Sequence, residues 1–288
     1  MAHILQKNKI MYNISCIHPT CRPRLARQTR DKWLNYARNP EKIEYITYFD
    51  SFDQKELRKK ISKKGNVIEV YSPYSFGIVK KCNAAAKLAT AKCIVVATDD
   101  TIPEIDWDEK LIESADWNKE VVLNTMDGTE KFDKRAYMVK TVILSKKRYN
   151  KLGYVLHPNF KHVYCDNFHT WISHKDDVVI QRKNIMFEHL HPSIGKSEAD
   201  QFYVNASTQE EYDYGSKVFH NLIKENFNKF EEKKFFEKYL NESDPHKKYI
   251  LAYILITTGF DQTKLINNSQ KQRKSKLLPS FHHKLDNN

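Results

Sequence analysis

Glycine is scarce, with seven in 288 residues, and none falls in "HPTCRPR" (residues 18–24), the stretch that follows the first apolar run. That absence counts against a nucleotidyltransferase, which grips a triphosphate with a Gly-rich or Lys/Arg-rich loop at this place. Long apolar runs are also missing: no window approaches the roughly 18 residues of a membrane helix. The first fifteen residues, "MAHILQKNKIMYNIS", lack the hydrophobic core of a signal peptide. A soluble, cytoplasmic protein is the expectation. The cysteines (Cys16, Cys21, Cys82, Cys93, Cys165) are five, an odd number without CxxC spacing. Neither a disulfide framework nor a zinc site fits them, and free thiols in a reducing compartment do. No internal repeat is visible.

What the chain has in excess is positive charge. Forty-eight Lys and Arg against 36 Asp and Glu leave a formal charge of +12. Phosphates, anionic polymers and anionic lipid surfaces are the partners that such a balance attracts. The length is enough for one large domain with an extension.

Hydrophobic periodicity lays out the elements. "NISCIHP" (13–19) reads as a strand; "RPRLARQTRDKWLNYARNP" carries Leu25, Thr29, Trp33, Tyr36 and Ala37 on one helical stripe; "IEYITYFDS" (43–51) is a second strand. "QKELRKKISKKG" is read as a helix ending at Gly65, "NVIEVYS" as a third strand, residues 76–90 as a helix, and "CIVVATDD" as a fourth strand. Strands alternating with helices predict an α/β domain with a mixed, mainly parallel sheet. In such sheets ligands bind beyond the carboxyl ends of the strands, where Asp50 and Asp99/Asp100 fall. Further on, "EVVLNTMDG" and "AYMVKTVILS" look like strands, and Tyr149 to Tyr164 like a loop. "VVIQRKNIMFEHLHP" predicts a strand with His189 and His191 on one face. From Tyr212 to Thr258 the pattern is helical.

Paired Asp at a strand end, with a later His, suits a divalent cation bridging a diphosphate: hard oxygen ligands take Mg²⁺ or Mn²⁺, and imidazole favours Mn²⁺. Asp before "TIPE" is equally ordinary turn chemistry, so the dipeptide alone leaves both readings open.

The ordered set "ISCIHPTCRP", "YFDS", "KCNAAAKLATAKCIVVATDDTIPEIDWDEKL" and "HLHP" resembles the GT-A-fold, family-two-like glycosyltransferases, most closely small bacterial and phage members, over residues 12–204. The resemblance implies a GT-A (nucleotide-diphospho-sugar transferase-like) domain over 1–205, a helical extension over 206–263 and a basic tail over 264–288. It implies transfer of a sugar from a nucleotide-diphosphate sugar to an acceptor hydroxyl. Pro19, Thr20, Arg22, Asp50, Asn83 and Asp99 would then line the nucleotide side, with Lys80 and Lys81 nearby on a solvated helix face. Asp100, His189 and His191 are the implied metal ligands. Asp166 falls where inverting members carry the general base, with His169 and Trp171 near acceptor or sugar; Trp107 and Asp108 occupy the Trp-Asp position, with Trp107 as core support. The sequence departs from a full Asp-x-Asp: Thr98 and Thr101 stand where a second carboxylate would be. The implied acceptor is a surface glycan or a modified phage DNA; the competing function is a nucleic-acid-binding module on an inactive domain of the same fold.

The tail yields a test that separates these. Lys264 to Lys284 holds six basic residues and no acidic one. If it tracks a polyanion, deleting 264–288 weakens acceptor binding, leaves donor binding intact, and flattens the log affinity against log salt slope by about 0.7 to 0.9 per lost phosphate contact. Salt titrations on duplex DNA and on a neutral oligosaccharide read this out; an unchanged slope on DNA removes the tail from acceptor binding.

Overall fold

The computed structural model describes residues 11–50, 60–72, 74, 76–133, 135–198 and 208–266. Its strands are β1 (Ile14–Thr20), β2 (Ile43–Asp50), β3 (Lys60–Lys64), β4 (Val67–Ser72), β5 (Cys93–Val96), β6 (Thr101–Pro103), β7 (Val122–Met126), β8 (Ile143–Ser145) and β9 (Val179–His189). Its helices include α1 (Pro23–Asn35), α2 (Ile78–Ala86), α3 (Trp107–Glu113), α4 (Lys146–Leu152), α5 (Cys165–Lys175), α6 (Gln209–Asn226), α7 (Lys229–Asn241) and α8 (Pro245–Thr257).

Every residue of β1 and β2 is buried, the pattern of parallel strands covered on both faces. The described strands form one mixed sheet in the order β3-β4-β2-β1-β5-β8-β7-β9-β6. Its centre, β4-β2-β1-β5, is parallel throughout, so the carboxyl ends of these four strands face the same way. Helix α1 starts on Pro23, whose missing N–H costs nothing in the first turn. It buries Ala26, Thr29 and Trp33 against the sheet.

One predicted helix is a strand. Lys60–Lys64 pairs antiparallel with β4 across a two-residue turn at Gly65 and Asn66, where Gly65 sits at φ +60°. A glycine in that conformation ends a helix or turns a hairpin equally well, and the run of lysines suits an exposed sheet edge. The remainder of that predicted helix lies outside the described residues. Of the stretch read as loop, Tyr149 to Tyr164, only the first four residues are helical, as the end of α4; α5 begins directly after it, at Cys165, where no helix was expected.

Packing on one side of the sheet centres on Trp33, Trp107 and Phe187. Trp107 lies edge-on to Trp33 with ring centroids 5.0 Å apart, and Phe187 is 5.4 Å from Trp33. Both indole N–H groups are satisfied: Trp33 Nε1 donates to the Thr101 carbonyl at 2.8 Å and Trp107 Nε1 to the Trp33 carbonyl at 2.9 Å. The carboxylate of Asp108 accepts from the Arg38 and Asn39 amides, so the Trp-Asp pair serves the core, as expected for Trp107.

The chain divides into two compact units between Phe219 and His220, within α6. The boundary expected at residue 205, like most of the basic tail, lies outside the described residues. In the second unit α7 opens on a capping box between Asn228 and Glu231, and α8 on Asp244, which accepts from the His246 and Lys247 amides ahead of Pro245. Among the described residues no helix is long and apolar enough to cross a membrane.

Trp33 is fully buried, ring-stacked and hydrogen-bonded. Trp33→Ala is expected to cost about 3–5 kcal/mol of stability, read as a lower urea midpoint with an unchanged denaturant slope.

Candidate active site

At the carboxyl ends of β1 and β5 the two adjacent aspartates point to different partners. Asp99 turns inward, with a side chain only 7% exposed. Its Oδ1 lies 3.0 Å from His18 Nε2, and its Oδ2 accepts from the Thr20 hydroxyl at 2.9 Å and from Arg22 Nη1 at 3.4 Å. The other ring nitrogen of His18 is 2.9 Å from the Tyr45 hydroxyl, so a buried chain Tyr45–His18–Asp99 runs across β2, β1 and the turn after β5. The Asp99 carbonyl also accepts from Thr29 of α1. Thr20 in turn accepts from the Arg22 amide. Pro19 sits within β1, opposite Tyr48.

Asp100 turns outward, its side chain 39% exposed. Its Oδ1 accepts from the Thr98 hydroxyl at 2.7 Å, and Oδ2 lies 3.2 Å from His189 Nε2. The antiparallel pairing of β6 with β9 places Thr101 opposite His189, and the Leu190 amide donates to the Asp100 carbonyl. Burial works to raise the Asp100 carboxyl, but the hydrogen bond and charge of His189 and the Thr98 hydroxyl outweigh it and hold it at about 2. His191 follows the end of β9 with its ring edge-on to His189 at 4.9 Å. Its imidazole is pushed down by burial and then by His189. Among the described residues no three His, Cys, Asp or Glu side chains converge as a metal cage. Asp100 and His189 are in contact, and His191 does not join them as a third member of such a group.

Asp50, at the end of β2, is buried and engaged. Lys81 Nζ donates to Oδ1 at 2.9 Å and the Phe76 amide to Oδ2 at 2.8 Å. Lys81 is therefore not on a solvated face: its side chain is 8% exposed and ion-paired, whereas Lys80 is exposed. One turn on, the Asn83 amide holds backbone: Nδ2 donates to the Leu156 carbonyl, and Oδ1 accepts from the Val155 and Leu156 amides. Both groups of that side chain are committed to the segment after α4, so its expected place against a nucleotide is replaced by a structural one.

Asp166 stands in the first turn of α5, where a carboxylate is favoured by the helix dipole. Its Oδ1 accepts from the Asn167 amide at 2.9 Å. Burial nevertheless pushes its carboxyl up, against the opposing pull of that amide, of Arg135 and of His162. Arg135 is itself held by a two-point contact with Asp133, at 2.9 and 3.0 Å. His169 and Trp171, further along α5, are in the interior, 2% and 0% exposed. That corrects their expected contact with acceptor or sugar. Burial drives the His169 imidazole down to about 4.

The model of the family "Glycosyl transferase family 2" matches residues 26–176. The chain belongs to that family. The match contains α1 from Ala26 on, the strand ends at Asp50 and Asp99/Asp100, and Asp166. Among solved structures this family-2 chain is similar to S. aureus TarS 1–349 in complex with UDP-GlcNAc, at TM-score 0.55 and 16% identity over 92% of this chain and 76% of that one. It is also similar to the longer S. aureus TarS, at TM-score 0.51 and 16% identity over 88% of this chain, spanning 44% of the length of that one. Such identities speak for the fold, a GT-A-type α/β domain. No curated protein matches the sequence.

Sequence reasoning missed two members of the site. His18 was legible only as part of a motif, although a histidine one residue before a strand-ending proline, facing a later Asp, is a candidate bridge. Lys81 was hidden by its neighbour: in "KK" only the apolar stripe of Val79, Cys82 and Ala86 tells which lysine turns inward.

The sign of the Asp100 shift fixes a pH test. A carboxyl lowered on folding stabilises the fold above its unfolded value of about 3.9, and that contribution is lost as pH falls through about 2. The urea midpoints of wild type and Asp100→Asn should therefore differ most at pH 6 and draw together below pH 4.

Proposed function

We propose that this chain transfers a sugar from a nucleotide-diphosphate donor to an acceptor hydroxyl, with inversion, and that Asp166 is the general base. Asp166 carries the reading: it is a carboxylate inside the family-matched span, at a helix start, with an affinity for protons raised by burial. A general base works best as its proton affinity approaches the operating pH, and burial moves Asp166 in that direction. The acceptor hydroxyl gives its proton to a carboxylate oxygen of Asp166. The hydroxyl oxygen forms a bond to the anomeric carbon from the face opposite the diphosphate, and the bond to the diphosphate oxygen breaks with its electron pair leaving on the nucleotide.

The donor belongs at the carboxyl ends of the parallel strands, where Pro19, Thr20 and Arg22 of the β1 end and Asp50 of the β2 end meet Asp99. The similar TarS structure with UDP-GlcNAc supports a nucleotide sugar as the ligand class. Asp99 and Asp50 are the walls of that crevice, each already anchored by its own lysine, arginine or histidine partner. Asp100 is the exposed carboxylate of the pair, and with the imidazole of His189 it presents one oxygen and one nitrogen donor. That set suits Mn²⁺ or Mg²⁺ with the diphosphate and water supplying the other ligands. Such a cation would supply charge neutralisation at the leaving diphosphate. His191 beside His189 orients that ring.

The test begins with a panel of nucleotide sugars scored for binding and for slow hydrolysis, followed by mass spectrometry of acceptors that include surface-glycan fragments and duplex DNA bearing 5-hydroxymethyl bases. With the donor and acceptor so found, Asp166→Asn should lower transfer by about 10²- to 10⁴-fold while donor affinity and the circular dichroism spectrum stay as in wild type. Near-native transfer by that variant would remove Asp166 as base. Binding of polynucleotide with a steep salt dependence, and of no nucleotide sugar, would replace the transferase with a nucleic-acid-binding module.

A further inference from the structure

Asp166 follows the segment 161–164, and that segment is wedged between two glycines. Gly77 caps the start of α2, and a Cβ on it would come within 2.8 Å of the Lys161 carbonyl oxygen. Gly215, in the interior of α6, is closer still: a Cβ there would lie 2.7 Å from the Val163 carbonyl oxygen and 3.1 Å from the Tyr164 ring. Glycine is unfavourable inside a helix because it orders a freer backbone. At Gly215 the close approach of another backbone accounts for it.

Between these contacts and Asp166 stands Tyr164, the cap of α5, at φ +67° and ψ −4°. A bulky side chain in the left-handed region is strained and persists only where its surroundings hold it. The surroundings are again α6. The Tyr164 ring lies 6.5 Å from Tyr212, edge-on, and 5.8 Å from Phe219. Both rings, and Gly215, belong to the part of α6 within the first unit. The left-handed turn at Tyr164 sets the direction in which α5 leaves, and therefore where the carboxylate two residues later stands.

We infer that the first half of α6 positions the base: Gly215 lets it press on the Val163 carbonyl, and Tyr212 and Phe219 hold Tyr164 in the left-handed turn that aims Asp166. Gly215 and Tyr164 are positioning residues, since neither needs to touch donor or acceptor. The inference rests on the reading of Asp166 as base for its functional meaning, although the geometry it asserts can be read independently. The groups around the Asp166 carboxyl are Arg135, which Asp133 holds, His162 ahead of α5 and the adjacent Cys165.

The decisive measurement is the titration of Asp166 itself, followed by carboxyl ¹³C resonances in protein labelled at aspartate and assigned by the signal that Asp166→Asn removes. Gly215→Ala adds the methyl that the Val163 carbonyl has no room for, so the carboxylate loses its shelter. Its midpoint should fall toward the ordinary carboxylate value of about 3.9. Tyr164→Phe keeps the ring and the turn and should leave the Asp166 midpoint unchanged. Phe219→Leu removes a ring contact without any clash, so it supplies the same downward shift should Gly215→Ala fold poorly. An Asp166 midpoint equal to wild type in a folded Gly215→Ala or Phe219→Leu protein would overturn the inference. In transfer assays Gly215→Ala should lower kcat about tenfold or more with donor KM unchanged, and add nothing in an Asp166→Asn background. An equal further loss in that background would overturn it too. Failure of the base reading looks different: Asp166→Asn would then transfer sugar normally, whatever the titrations show.

Discussion

The carboxylate of Asp99 is the knot on which the site depends. Three parallel strands end at one place only because something joins their ends, and here the join is a buried hydrogen-bond chain from Tyr45 on β2 through His18 on β1 to Asp99 after β5. Thr20 and Arg22 tie the first loop to the same carboxylate, and Thr29 ties α1 to its carbonyl. A buried carboxylate is tolerable when both its oxygens have hydrogen-bond partners, and those of Asp99 do. The result is a division of labour between neighbours in sequence: Asp99 fastens the crevice, and Asp100, fixed beside it by the Thr98 hydroxyl, is left facing outward.

A second fastening runs through α2. Gly77 at its start touches the backbone at Lys161, Lys81 on its first turns neutralises Asp50, and Asn83 holds the backbone at Val155 and Leu156. One nine-residue helix thus connects the β2 carboxylate to the segment that leads into α5. The buried pair Asp50–Lys81 is worth little as stabilisation relative to an apolar pair, since both charges are desolvated, but removal of either partner strands the other at a cost of about 3–5 kcal/mol. It is a device for holding geometry, and the geometry held is that between the end of β2 and the segment ahead of α5.

Much of this was legible in the sequence because the physics is local. Buried parallel strands need continuous apolar runs, and "IEYITYFD" and "CIVV" are such runs. Prolines 23 and 245 mark helix starts by their chemistry alone. The strand β9 followed from alternation, and the company of His189 with Asp100 came in only through the family resemblance. What failed to read was non-local or two-valued. Lys60–Lys64 has a helical composition and becomes an edge strand because β4 offers a partner. Asn83 and Lys81 take their roles from residues 73 and 31 positions away. His169 and Trp171 share a short stretch with Asp166, and only the rotation of α5 decides that they face inward while Asp166 keeps a path to solvent.

The place of β9 in the sheet has a consequence for how the protein is made. It is the last strand in the described chain, yet it lies between β7 and β6, and β6 has no other strand neighbour. During synthesis the segment from Ile14 to Ser145 can assemble its parallel centre and hold the Asp99–Thr101 turn against α1, but β6 has no strand to pair with until residues 179–189 leave the ribosome. At elongation rates of about 5–20 residues per second, that interval amounts to a few seconds in which Asp50 and Asp99 can find their partners and the Asp100–His189 pair cannot form. The Asp100–His189 pair therefore closes only after the segment that bears Asp166 has already been made.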